Sequence, residues 1–198
     1  MFKFFESLTQ ALPQEEPTQP PNTLYAFCRH YTRGFGLPLI IMSVLTAIMA
    51  MLEVSLFGFM GQLVDWLVTK NPQTLWQDES TTLITMSVIV LVVIPLVVWL
   101  HASIVHQTLL GNYPMAIRWQ AHRYLLKQSI SFYQDDFAGR IATKVMQTSL
   151  AVRETVMKLL DVLMYILVYF TSMLVMIATA DVRLMLPMLV WLAAYVLI

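Results

Sequence analysis

From Ser80 to Ile117 the chain carries no Lys, Arg, Asp or Glu. A helix needs about 20 residues to cross the roughly 30 Å hydrocarbon layer of a bilayer, so an uncharged run of this length reads as a membrane crossing. The rest of the composition agrees. Soluble domains are about 25% charged and about 45–50% apolar. Here 12% of the 198 residues are charged and 58% are hydrophobic, which removes the polar surface that water would solvate. The chain therefore reads as an all-α integral membrane protein. Its formal net charge of +0 gives no bulk attraction for nucleic acid. Cys28 is the one cysteine, so no intrachain disulfide can form, and beside Arg29 and Arg33 it reads as an inert thiol.

Residues 1–23 place Pro13, Pro17, Pro20 and Pro21 among Gln, Glu and Thr, a composition expected to remain a mobile polar tail. Residues 24–36 read as an interfacial elbow helix. Leu24, Phe27, Cys28 and Tyr31 share one helical face, and Arg29 and Arg33 lie off it. Gly34, Gly36 and Pro38 then redirect the chain. The first apolar run starts only after about 35 residues and is longer than a signal-peptide core, so it is expected to target the chain itself.

The transmembrane domain, residues 37–198, follows. A first span is expected over about 37–67, interrupted by Glu53, with Asp65 near its end and a polar loop over 69–80. A second covers 81–107, and its helical pattern continues to 130. In that extension Met115, Trp119, His122, Leu126 and Ile130 form one face, with Arg118, Arg123 and Lys127 off it. One helix from 81 to 130 would be about 75 Å long, with Pro95 and Pro114 kinking it. After an elbow from Phe132 to Gly139 the pattern resumes at 138. Arg140, Lys144, Gln147, Glu154, Lys158 and Asp161 make a wet stripe; Ile141, Val145, Val152, Val156, Leu159 and Leu163 make a packed one. A third span occupies 162–180. Asp181 and Arg183 mark a tight loop, and 184–198 is a fourth apolar run too short to cross, so a fragment of a longer protein is expected.

Orientation follows from the basic residues. Of the 12 Lys and Arg, only Lys70 and Arg183 fall in the loops on one side. The others lie before residue 36 or within 107–161, which predicts that the N-terminus and the 107–161 extension are cytoplasmic. Two helices thus outrun the bilayer together and meet at a short tip, the geometry of a lever.

Other polar residues support fewer roles. Glu53, inside an apolar helix, is a candidate for the path or gate and equally for a structural hydrogen bond. His101 and His106 are five residues apart, on different helix sides, so no metal site is expected. Trp66 and Trp76 read as interfacial anchors.

The order of these features resembles the N-terminal part of the transmembrane domain of the ATP-binding cassette (ABC) exporter family, of the multidrug and lipid-exporter type. The segment LYAFCRHYTRGF resembles that family's elbow helix, and EVSLFGFMGQLVD matches the end of its first span at Glu53, Gly61 and Asp65, with Phe57 where Pro is common. FYQDDFAGRIATK resembles its first intracellular loop at Phe132, Tyr133 and Gly139. Lys144 replaces an Arg, Gln134 an Asp, and Arg140 stands where an acid is usual.

This resemblance implies a fragment of a six-helix fold whose long helices reach into the cytoplasm and end in a coupling helix. Phe132, Tyr133, Gln134, Asp135, Asp136, Phe137, Gly139 and Arg140 are then the residues expected to couple to a nucleotide-binding domain. The bland alternative for the carboxylates is capping of the helix beginning near Ala138. The sequence contains no G-x-x-x-x-G-K-[ST] phosphate loop, so ATP and Mg²⁺ are expected only in a domain beyond this segment. The full-length protein it resembles is an ATP-hydrolysing translocase; this segment carries no catalytic residues of its own. Expected partners are the lipid bilayer, the nucleotide-binding domain and a second exporter half, identical or not. The expected location is the plasma (inner) membrane. The alternative is a self-contained membrane scaffold or regulatory subunit with a cytoplasmic helical hairpin.

Overall fold

The computed structural model describes residues 3–70, 75–135 and 138–197, and every regular element among them is helical. In chain order these are α1 (Lys3–Glu6), α2 (Leu24–Tyr31), α3 (Gly36–Thr69), α4 (Leu75–Val88), α5 (Ile94–Ser103), α6 (Asn112–Leu125), α7 (Ile130–Asp135), α8 (Ala138–Ala180) and α9 (Met185–Leu197). Three stretches are long and apolar enough to cross a membrane: Gly36–Thr69, Leu75–Leu125 and Gly139–Ala180. This is the architecture of an all-α membrane protein.

The second long stretch changes pitch where proline demands it. π-helical turns occupy Ile89–Val93 and Ile104–Leu109, just ahead of Pro95 and Pro114. A proline ring collides with the carbonyl four residues back and leaves it without a donor. Widening the preceding turn relieves both problems, and Leu110 N accordingly bonds Val105 O at 2.9 Å. Pro38, in the first turn of α3, needs no such adjustment because the amide it lacks would have no intrahelical acceptor there.

The chain divides into two compact units, Met1–Val44 with Trp99–Leu163, and Leu45–Val98 with Met164–Ile198. In the first unit Phe35, Leu39 and Met42 of the elbow turn and α3 are buried, as are Leu109, Tyr113 and Ile117 around the start of α6 and Val152 of α8. Phe35 and Tyr113 place their rings 4.8 Å apart, and Thr32 Oγ1 meets Tyr113 Oη at 2.8 Å. Ser43 Oγ donates to Leu160 O at 3.0 Å, joining α3 to α8.

The opening segment makes hydrogen bonds along the first unit. Thr108 Oγ1 donates to Phe5 O at 2.8 Å, and Asn112 Nδ2 donates to Thr9 Oγ1 at 3.0 Å. Trp119 Nε1 donates to Pro13 O at 3.1 Å, and Arg123 reaches the carbonyls of Gln14 and Glu15 at 3.1 and 2.9 Å. Composition measures only apolar burial; this segment is held through its backbone carbonyls, which every sequence has.

In the second unit few side chains are buried, Ala50, Val54, Met86 and Val97 among them. Phe57, Met60, Val64, Leu67, Leu91 and Leu167 are exposed. Contiguous apolar surface of this kind has no place in water and suits lipid or further helices.

Candidate functional site

The site predicted at the end of the hairpin lies in the first unit. Arg118 Nε of α6 donates to Ser149 Oγ of α8 at 2.9 Å. Nearer the tip, Leu125 and His122 line one groove with Ile141 and Val145. In the other direction His101 of α5 pairs with Asp161 at 3.3 Å. Partner numbers fall on α8 as they rise along the preceding helices, so the two arms are antiparallel neighbours.

The stripes on these arms differ in burial. Ile141 and Val152 are buried, and Arg140, Lys144, Gln147, Glu154 and Lys158 are exposed. Farther along, Leu159 and Leu163 are exposed instead of packed. On α6 Met115 is 45% exposed and His122 is exposed, Trp119 is half-buried, and Tyr113, Ala116 and Ile117 are buried; Leu126, just past its end, is 69% exposed. Glu154 forms an ion pair with Arg153 at 3.2 Å.

α6 ends at Leu125, five residues before the sequence pattern would end it. Its last turn tightens, with Lys127 N on Tyr124 O at 3.2 Å and Gln128 N on Leu125 O at 2.8 Å. The short helix Ile130–Asp135 then forms the tip. Tyr133 Oη turns back and donates to Leu125 O at 2.6 Å, supplying a second donor to a carbonyl at the helix end. Its ring stays 41% exposed and stands edge-on to Phe132 at 5.3 Å. Phe132 also lines a groove with Phe27 and Tyr31 of the elbow helix.

Tyr133 and Phe132 therefore brace the tip as well as presenting a face. Gln134 and Asp135 complete α7. Asp136 and Phe137 lie outside the described residues. Gly139 and Arg140 are exposed at the start of α8, where Gly139 O accepts from Thr143 Oγ1 at 2.8 Å. Ile130, 78% exposed, and Leu126 add apolar surface at the same tip. Their position beyond a tightened helix end is what exposes them.

Beside the tip, the elbow helix keeps Phe27 and Cys28 half-buried and Tyr31 buried, with Arg29 exposed, as its pattern predicts. Leu24, at its start, is exposed. Burial, and then the positive charge of Arg33, push the His30 imidazole below its ordinary range. Burial, with Tyr124 second, pushes the Tyr31 phenol up.

In the second unit Glu53, midway along α3, accepts a hydrogen bond at Oε2 from Tyr165 Oη of α8. Tyr165 stacks on Tyr169 with centroids 5.6 Å apart. No described Lys, Arg or His forms an ion pair with Glu53. An ionised group at the centre of a bilayer costs about 2.5 kcal/mol or more unless protein or water attends it, and the Tyr165 hydroxyl is such an attendant. Among the described residues no group of His, Cys, Asp and Glu is placed to hold a metal ion.

Comparison with known proteins bears on these two sites together. Over 200 residues the chain is 43% identical to an uncharacterized ABC transporter ATP-binding protein of Haemophilus influenzae, an alignment covering 100% of this chain and 32% of that relative. The chain thus spans about a third of the relative's length. No family model and no solved structure matches it.

Proposed function

We propose that this chain is the opening part of the membrane domain of an ATP-driven ABC exporter, lining the translocation path and coupling it to a nucleotide-binding domain beyond the segment. The observation that carries the proposal is the antiparallel hairpin of α6 and α8, closed by α7. A regular helix of 43 residues rises about 65 Å, and the hydrocarbon layer takes up only about 30 Å of it. With the basic residues of 107–161 on the cytoplasmic side, the surplus length is a lever arm. The H. influenzae relative, an ABC transporter ATP-binding protein by name, supports the same reading.

In this reading α7 is the coupling helix. Phe132, Tyr133, Ile130 and Leu126 give it an apolar face, with Gly139 and Arg140 exposed beside it, and Gln134, Asp135, Asp136 and Phe137 belong to the same proposed contact. An apolar centre with a polar border suits a small interface that transmits force. ATP and Mg²⁺ belong to the nucleotide-binding domain, whose closure pushes on the tip of one exporter half against a second half. The hairpin carries that displacement to the spans, where Glu53 and Tyr165 stand on or beside the path. A photoreactive residue at position 130 of the full-length protein tests this. Cross-links to the nucleotide-binding domain are expected; cross-links confined to lipid or to the membrane domain would reject it.

A further inference from the structure

A cavity of about 640 Å³ lies between the opening segment and the turn that leads into the first span. That size falls within the roughly 300–1,000 Å³ range of small-ligand sites. Ser7, Gln10 and Glu15 line it from the opening segment, Arg33 and Phe35 from the turn, and Gln120 from α6. Its walls are fixed. Phe35 is 2% exposed, and the segment opposite is tied down by Thr108, Asn112, Trp119 and Arg123.

The charges in it are unspent. Arg33 is the one cation and Glu15 the one carboxylate among the lining residues, and neither forms an ion pair with any described residue. The positive field of Arg33 is felt nearby, since it helps hold the His30 imidazole below its ordinary range. The cavity is thus neutral in sum but carries two opposite, separated charges with amide and hydroxyl groups around them.

Its place in the chain says where the ligand comes from. Arg33 precedes Gly36, the first residue of α3, so it stands where the apolar span meets the headgroups. Leu37, Ile40 and Val44, at helical spacing along the start of that span, are exposed apolar residues on which acyl chains can lie.

We infer that this cavity binds the headgroup of a zwitterionic, amine-bearing phospholipid, its phosphate on Arg33 and its primary ammonium on Glu15. A guanidinium binds phosphate through charge-assisted, often bidentate hydrogen bonds. A primary ammonium donates three N–H bonds to a carboxylate; a quaternary choline has none to give, and a glycerol headgroup brings no cation. The lipid is a resident ligand clamping the opening segment to the elbow, separate from any transported cargo. The inference requires only that α3 enters the bilayer and does not depend on the export reading.

The test is native mass spectrometry of the full-length protein incubated with equimolar phosphatidylethanolamine, phosphatidylcholine and phosphatidylglycerol. Phosphatidylethanolamine is expected to be retained about tenfold over the other two, the worth of one charge-assisted hydrogen bond. Arg33→Gln is expected to lower its retention about tenfold, and Glu15→Gln to remove the preference over phosphatidylglycerol. Both residues are exposed, so neither change threatens the fold. Equal retention of the three lipids, or wild-type retention by Arg33→Gln, would overturn the inference. Complete displacement by millimolar glycerophosphoethanolamine would assign the cavity to a free phosphoethanolamine compound instead of a lipid.

Discussion

Arg118 donates a hydrogen bond from Nε to Ser149 Oγ at 2.9 Å, and Ser149, fully buried, donates from Oγ to Met146 O at 2.8 Å. The serine is thereby both acceptor and donor, and the two arms of the hairpin are locked in one register. Because one partner is charged, this bond is worth about 1.5–3 kcal/mol, more than a neutral pair. A double-mutant cycle of Arg118→Ala and Ser149→Ala in thermal unfolding should show coupling of about 1–3 kcal/mol. Additive losses would mean that the register is set by apolar packing alone.

The tip is braced from within by Tyr133. Tyr133→Phe keeps the ring and removes only the hydroxyl that reaches Leu125 O. The expected loss is about 1 kcal/mol, felt locally as about fivefold faster tryptic cleavage after Lys127. Unchanged cleavage would show that the tightened turn at residues 126–128 holds without it.

Within the spans, removing one partner should cost more than removing both. Tyr165→Phe strips Glu53 of its donor in an apolar surrounding, an expected loss of about 1–3 kcal/mol. The double variant Tyr165→Phe with Glu53→Leu should recover most of that stability, since no polar group is then left unmatched. Transport by the double variant reads out the second role of Glu53. Stable protein without transport places it on the path, and stable protein with normal transport makes it a structural bond.

Reversing the charge of Asp135 and Asp136 to Lys, or deleting one turn from each arm, should separate the two activities of the full-length protein. ATP hydrolysis is expected to persist while ATP-driven transport falls to background, measured in inverted vesicles. Transport at the wild-type level would reject the lever.

Much of this was legible because long apolar runs and 3.6-residue stripes are properties of the chain alone. The helical pattern after the elbow is continuous from Ala138 to Ala180 in α8. The stripe of Arg140, Lys144, Gln147, Glu154 and Lys158 faces outward as its spacing requires. What could not be read depends on tertiary partners. α6 ends at Leu125 in a tightened turn, which leaves Leu126 and Ile130 at the surface. The opening segment is seated by Asn112, Trp119 and Arg123, far away in sequence, using carbonyls that no composition reports. Tyr165 as the partner of Glu53 is likewise a relation between two helices, invisible in either.

The direct measurement concerns which side of the membrane the tip occupies. In full-length protein with Cys28 and any cysteine outside this segment replaced by Ser, a single cysteine at Ser131 is offered a membrane-impermeant maleimide, on intact cells and after permeabilisation. The account predicts labelling only after permeabilisation, with a cysteine at Gln77 labelled in both. Labelling of position 131 from outside would contradict it.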